Sequence, residues 1–138
     1  MNAAARAGAV YFAAVFALGF LLGTLRVAAL APVLGETRAI LLELPVMLAA
    51  SWLVCGWSVR RFDVPRAVGA RVAMGGVAFA LLTAAELSLS ILLMDRSAAE
   101  HLGRYAETGP ALGLAAQLLF AAFPLMRRAR PDGAPRSP

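Results

Sequence analysis

Four long apolar blocks constrain this 138-residue chain more than any other feature. They cover residues 7–25, 39–59, 72–94 and 108–126; the outer two carry no charged residue and the inner two carry one each, Glu43 and Glu86. A helix needs about 20 apolar residues to cross about 30 Å of hydrocarbon, at about 1.5 Å per residue. Because lipid leaves unpaired backbone groups unsatisfied, the sequence predicts four transmembrane helices.

Composition excludes several other classes of protein. The chain is 61% hydrophobic and 15% charged, whereas a soluble domain has about 45–50% apolar and about 25% charged residues. One cysteine, Cys55, allows no internal disulfide, and one histidine, His101, cannot alone provide a haem or zinc site. The sequence contains no glycine-rich phosphate loop and no hydrolase motif. We therefore expect no cofactor and no metal site.

The expected fold class is all-α, a four-helix transmembrane bundle with both termini in the cytoplasm. The membrane domain is predicted over residues 1–128, with spans at about 7–29, 39–59, 70–94 and 108–126. Pro32 and Gly35 indicate a turn over residues 31–35. Residues 129–138 are rich in proline and lack apolar side chains, which predicts a disordered cytoplasmic tail.

The connection between the third and fourth spans has helical features. Ser97 and Glu100 have the spacing of a capping box, and Glu100 stands four residues from both Arg96 and Arg104. These features predict a short amphipathic helix on the membrane surface. An ordinary polar loop is the alternative.

The arginines predict the orientation in the membrane. Nine of the 13 basic residues fall on one face, and all of them are arginine. By the positive-inside rule this face is cytoplasmic, and topology rather than nucleic-acid binding explains the high isoelectric point. The expected location is the inner membrane of a bacterium. The nine are Arg6, Arg60, Arg61, Arg66, Arg71, Arg127, Arg128, Arg130 and Arg136; the other face has Arg26, Arg38, Arg96 and Arg104.

Each span contributes one costly polar residue, and all four are expected in the outer half of the membrane. Arg26 and Glu43 lie about 6 Å from the outer end, and Glu86 and Gln117 lie about 12 Å deep. A charge at the centre of a span costs about 2.5–3.5 kcal/mol, so these side chains are expected to face one another.

Helical spacing supports an inward polar seam. Glu43, Met47, Ser51 and Cys55 recur every four residues, and Thr83, Glu86 and Ser90 form a second stripe. Pro45 lacks an amide and predicts a kink near Glu43. The network is interpreted either as a static Arg–Glu lock between helices, or as a working proton- or cation-binding carboxylate with Arg26 as its counter-ion.

Two small-residue motifs predict close helix packing. Gly19 and Gly23 have GxxxG spacing in the first span, and Gly109 and Gly113 repeat it in the fourth. Packing within the chain is the expected use, with homodimerisation as the alternative.

Three segments carry a resemblance to a known group of proteins. They are residues 18–27, Leu34-Gly-Glu36 and Leu42-Glu-Leu-Pro45. Together they resemble small uncharacterised four-span inner-membrane proteins of proteobacteria. The resemblance implies that Arg26, Glu36, Glu43 and Pro45 belong to one pattern, and it implies no activity.

The sequence favours a non-enzymatic integral membrane protein. The expected role is an accessory, assembly or structural component, with the lipid bilayer and either a homo-oligomer or a larger membrane complex as partners. The competing class is a small proton- or cation-coupled transporter or channel that uses Glu43 and Glu86. A water-accessible cavity that reaches Glu86, together with a dimer, would favour the transporter. A dry interior with Arg26 paired, and an exposed groove or glycine face for a partner, would favour the accessory role.

Overall fold

A computed structural model describes residues 2–127, and in this range the chain forms helices and short connections with no strand. The helices are α1 (Ala3–Leu25), α2 (Ala31–Leu34), α3 (Glu36–Arg61), α4 (Val68–Leu93), α5 (Ala98–Gly103) and α6 (Thr108–Met126), with a π-helical segment at Arg26–Leu30 and a 3₁₀ turn at Arg104–Ala106. The predicted disordered tail, 129–138, lies outside the described residues.

Four helices are long and apolar enough to cross a membrane, which makes the chain a multi-pass membrane protein. They are Ala3–Leu34, Glu36–Arg61, Val68–Leu93 and Thr108–Met126. Many of their large apolar side chains are exposed on the outside of the protein, including Leu21, Leu53 and Leu92. Lipid accounts for this exposure, because hydrocarbon is as good a solvent as a protein core for such side chains. The predicted all-α architecture with four spans is confirmed.

The predicted turn over residues 31–35 is wrong except at its last residue. The chain stays helical through the π-helical segment and α2, and it turns only at Gly35, which has a φ of +84°. Pro32 is accommodated because it stands in the first turn of α2, where an amide needs no partner within the helix. Gly35 is the residue that adopts a positive φ at no steric cost.

The short helix predicted between the third and fourth spans is present as α5. Its capping box is complete: Ser97 Oγ accepts from the Glu100 amide, and Glu100 Oε2 accepts from the Ser97 amide. The predicted pair between Glu100 and Arg104 is replaced, because the Arg104 guanidinium donates to Glu36 at 2.8 Å. The capping geometry keeps the Glu100 carboxylate at the start of its own helix.

The four long helices pack in the order α1, α4, α6, α3 around a common core, and α3 closes against α1. Consecutive helices α3 and α4 therefore occupy opposite corners. Residues 62–67 connect these corners, and Val64 in this connection is buried. We call the end with this connection the lower end, and the end with Gly35 and α5 the upper end.

Glycines outside the predicted motifs allow the closest helix contacts. A Cβ on Gly75 would collide with the carbonyl oxygen of Ala121 in α6, and one on Gly8 would lie 2.6 Å from that of Met74 in α4. The absence of a side chain thus lets α4 approach both neighbours at backbone distance. Neither glycine belongs to a GxxxG pair within its helix, so that motif did not indicate them.

Two arginines close the lower end. Arg71 is 4% exposed, and its guanidinium donates to the carbonyls of Pro65 at 2.9 Å and of Val64 and Pro124 at 3.3 Å. Arg127 donates to the Trp52 carbonyl at 2.6 Å and 3.0 Å and stacks over the Trp52 ring at 4.2 Å. Arg71 therefore pairs with carbonyls of the 62–67 connection and of α6, and Arg127 adds a donor to the carbonyl of a residue inside α3.

A candidate ion-binding cavity

A cavity of about 640 Å³ occupies the upper half of the domain, and all four long helices line it. Its floor is formed by Val15, Ser51, Leu82 and Phe120. Below the floor the interior is filled: the buried Tyr11 ring stacks on Phe120 at 4.2 Å, and its hydroxyl donates to the Phe120 carbonyl at 2.8 Å. The cavity is thus closed below, and its charged groups lie in its upper part.

All four predicted polar side chains line this cavity. The stripe on α3 also faces inward: Ser51 and Cys55 are buried, and Glu43 and Met47 are half-buried. On α4, Glu86 is half-buried and Ser90 is buried, whereas Thr83 is exposed on the outside. The interpretation of Thr83 as a member of the inward seam is therefore wrong. Three residues turn a helix by about 300°, so Thr83 lies only about 60° from Glu86, and the packing of the neighbouring helices rather than the spacing leaves it exposed.

Arg26 and Glu43 form an ion pair on one wall of the cavity. Arg26 Nε donates to Glu43 Oε2 at 2.6 Å, and the two side chains are 22% and 17% exposed. Arg26 is the first residue of the π-helical segment, and Glu43 is carried by α3, which continues through Pro45 to Arg61. A charge-assisted hydrogen bond of this length between partly desolvated groups ties the first membrane helix to the second.

Glu86 and Gln117 form a second contact, between α4 and α6. Gln117 Nε2 lies 2.8 Å from Glu86 Oε1 and 2.7 Å from Oε2, so one neutral amide group donates to the carboxylate. Within residues 2–127, Glu86 has no ion pair with any cationic side chain. The Glu86 carboxyl group thus faces the cavity without a cationic partner among the described residues.

A second ion pair, which the sequence did not indicate, lies at the mouth. Arg104 Nη2 donates to Glu36 Oε1 at 2.8 Å, and Arg104 Nε lies 4.0 Å from Glu107. The pair joins the 3₁₀ turn to the start of α3 across 68 residues of sequence. The only available signal was that both residues flank connections on the same predicted face of the membrane.

Tyr105 and His101 also stand at the mouth. The Tyr105 hydroxyl lies 3.3 Å from His101 Nε2, and the two rings meet edge to face. Burial and, less strongly, the negative charge of Glu86 raise the pKa of Tyr105 above its usual value. Its hydroxyl therefore stays protonated at neutral pH.

Ser90 leaves a buried polar group without a partner inside the cavity. It lies one helical turn after Glu86 and is 3% exposed, and its Oγ has no hydrogen-bond partner among the described residues. A buried hydroxyl without a partner is costly, and such an atom commonly marks a place where a ligand or water binds.

The four predicted packing glycines serve two purposes. A Cβ on Gly19 would lie 3.2 Å from Met47, and one on Gly109 would lie 3.1 Å from Ile40, so these two pack closely on α3. At Gly113 a Cβ would meet nothing within 4 Å, and at Gly23 it would meet only the Arg26 guanidinium, at 3.7 Å. The packing prediction is thus wrong for Gly23 and Gly113, which border the cavity and leave it open.

In the described range, no three His, Cys, Asp or Glu side chains come together as a metal site would require. Comparison with family models, with curated proteins and with solved structures finds no match. The function is therefore inferred from the chain's own residues.

Proposed function

We propose that this protein is a small proton- or cation-coupled transporter of the bacterial inner membrane, with both termini in the cytoplasm. Glu86 is its ion-binding group. The observation that carries the proposal is the cavity, which brings an acidic side chain in mid-helix within reach of one end of the domain. An ionisable residue inside a membrane segment is costly, and it commonly marks an ion or proton pathway.

The two acidic residues are assigned different roles. Glu43 is already neutralised by Arg26, and this pair holds α3 against the first membrane helix. Glu86 has only the Gln117 amide, so a proton or cation can bind to it without displacing a guanidinium. We therefore expect Glu86 to bind and release the ion while Glu43 fixes the geometry.

The closed floor favours a transporter over an open channel. Tyr11, Phe120 and Phe123 fill the interior below the cavity, so a path through the protein requires a second conformation in which the floor opens. Alternating access of this kind is the usual mechanism of secondary transporters. The arginine bias supports an outward-facing upper end.

Ion flux in liposomes tests this proposal. The protein is reconstituted into vesicles that contain a pH-sensitive dye, and proton uptake is measured under an imposed membrane potential. We expect Glu86→Gln to abolish proton uptake. Thr83→Val, on the outer face of the same helix, should leave proton uptake unchanged. Uptake by Glu86→Gln at the rate of the unaltered protein, or no uptake by the unaltered protein with Na⁺, K⁺ or H⁺, would exclude this role.

An accessory or assembly role is the second candidate, and one feature of α4 favours it. Small residues are exposed on its outer face at Ala73, Gly76, Ala80 and Thr83, and Gly76 and Ala80 have small-xxx-small spacing. Such a face allows a second membrane helix to approach closely. If the face binds a partner or a second copy, Gly76→Leu lowers crosslinking through α4 in native membranes and leaves ion flux unaffected. Neither candidate role requires catalysis.

A further inference from the structure

We propose that the cavity binds an amphiphilic organic cation with at least one N–H group, whose ammonium rests on Glu86 and whose apolar body lies among the aromatic side chains of the floor and walls. This inference rests on the proposed function and specifies its substrate class. It follows from the charge, the lining, the unpartnered hydroxyl and the size of the cavity.

The charges of the cavity favour a cationic ligand at Glu86. Arg26 is paired with Glu43, and Arg104 with Glu36, so these four charges compensate one another. Glu86 has no ion pair within residues 2–127, and a cation that reaches a partly desolvated carboxylate is attracted to it more strongly than in water. Arg96 also lines the cavity, and its backbone amide donates to the Ser90 carbonyl at 3.1 Å, but its side chain forms no ion pair with Glu86.

The lining favours an organic cation over a bare metal ion. Phe16, Phe20, Leu82 and Phe120 present apolar or aromatic surface to the space beside Glu86. Aromatic faces attract ammonium groups, and apolar walls bind the hydrocarbon part of a ligand. A metal ion would need several oxygen or nitrogen ligands, and no such cluster exists among the described residues.

Ser90 supplies the independent feature that favours an N–H group on the cation. Its buried Oγ has no partner, although it lines the cavity one turn from the Glu86 carboxylate. An ammonium that carries hydrogen atoms can donate to the carboxylate and to this hydroxyl together, whereas a quaternary ammonium has no hydrogen to donate. Binding would thus satisfy a group that has no hydrogen-bond partner among the described residues.

The volume sets the size of the ligand. About 640 Å³ lies within the range of about 300–1,000 Å³ that is typical of small-molecule sites. Gly23 and Gly113 keep this space open. A single aromatic ring with a short aminoalkyl chain therefore fits, and long lipid chains are not needed.

Binding of matched probes tests the inference. The full-length protein in phosphatidylcholine nanodiscs is titrated by calorimetry with 2-phenylethylamine, with the neutral 2-phenylethanol and with the anionic 3-phenylpropionate. We expect saturable binding of the amine alone. Glu86→Gln should weaken it at least about tenfold, since a charge-assisted hydrogen bond is lost, and Ser90→Ala by a smaller factor of about three to ten.

Two further variants keep the test decisive. Gly113→Leu fills the cavity at a position where an added side chain meets open space, and we expect it to abolish amine binding while the thermal unfolding midpoint stays close to that of the unaltered protein. Thr83→Val is the control and should bind the amine normally. If Glu86→Gln fails to fold, Gly113→Leu and Ser90→Ala decide the question.

The possible failures are distinguishable. Equal binding of the amine and the alcohol, or amine binding that survives Gly113→Leu, overturns the inference. Ion flux that depends on Glu86 without amine binding leaves the transporter proposal standing and removes this one. If the amine binds, Gly113→Leu abolishes that binding and the protein conducts no ion flux, the binding inference stands and the transporter proposal is removed.

Discussion

Arg71 is the single residue on which the lower end of the domain most depends. Its guanidinium is buried, it has no acidic partner within the described part of the chain, and it joins the 62–67 connection to α6 through three carbonyls. Arginine suits this position because its planar fork offers five donors in fixed directions. A lysine offers fewer donors from a single nitrogen and cannot reach all three acceptors with the same geometry.

Replacing Arg71 with methionine is expected to destabilise the protein by about 2–4 kcal/mol, because three carbonyls lose their donor while the apolar volume is largely kept. Arg60→Met is the control: Arg60 is exposed at the end of α3, and its loss should cost less than about 0.5 kcal/mol. Denaturant unfolding in mixed micelles measures both changes in the free energy of unfolding. Equal stability of the two variants would show that the Arg71 contacts contribute little.

For individual residues, the sequence predicted the depth of a side chain in the membrane better than it predicted which side chains form ion pairs. Helical rise placed Arg26, Glu43, Glu86 and Gln117 in one half of the membrane, and all four line one cavity. It could not predict that Arg26 pairs with Glu43 and not with Glu86, because the rotation and order of the helices decide that choice. The Arg104–Glu36 pair joins distant segments, so no local pattern could reveal it.

Among the helices, α4 makes the closest approaches. Gly75 stands against the Ala121 backbone of α6, and Gly76, its neighbour in sequence, faces outward with nothing within 4 Å of an added Cβ. Two adjacent glycines thus occupy opposite environments, because one residue advances a helix by about 100°.

This contrast provides a paired test of helix packing. Gly75→Leu should push α4 away from α6 and lower the free energy of unfolding by about 1–3 kcal/mol or more, as overpacking does. Gly76→Leu should leave the isolated protein as stable as before. Reversible unfolding in bicelles measures both, and the prediction is contradicted if the two variants are destabilised alike.

The elements themselves were largely predictable, since hydropathy and length determine where a membrane helix can lie. The residues at which the helices end were less predictable. The first helix continues past Arg26 as a π-helical segment and then as α2, because a proline in a first turn does not stop a helix. Glycine pairs were interpreted as contacts, although at Gly23 and Gly113 the missing side chain preserves empty space instead.

For the whole molecule, the two ends differ in chemistry: Arg71 and Arg127 bind backbone carbonyls at the lower end, and the upper half contains the cavity. The arginine bias predicts that the lower end faces the cytoplasm. Single cysteines can test this in intact cells after Cys55, which is buried, is replaced by alanine.

Ala67→Cys and Ala99→Cys make a suitable pair, because both positions are exposed and lie in connections at opposite ends. We expect a membrane-impermeant maleimide to label Ala99→Cys in spheroplasts, and to label Ala67→Cys only after the membrane is permeabilised. The reverse pattern would invert the orientation, and labelling of both from outside would contradict four crossings.

The diagonal placement of α3 and α4 has a consequence for synthesis at the ribosome. Helices that leave the insertion machinery in sequence often associate as hairpins, and α1 with α3 can do so because they are neighbours. The next helix, α4, does not pack against α3, which is inserted just before it. It packs against α1 instead. Both α3 and α4 then lack one neighbour until α6 is inserted, because α6 contacts each of them. The ring closes only when α6 has been inserted, and so a nascent chain acquires its chamber only after all four long helices are in the membrane.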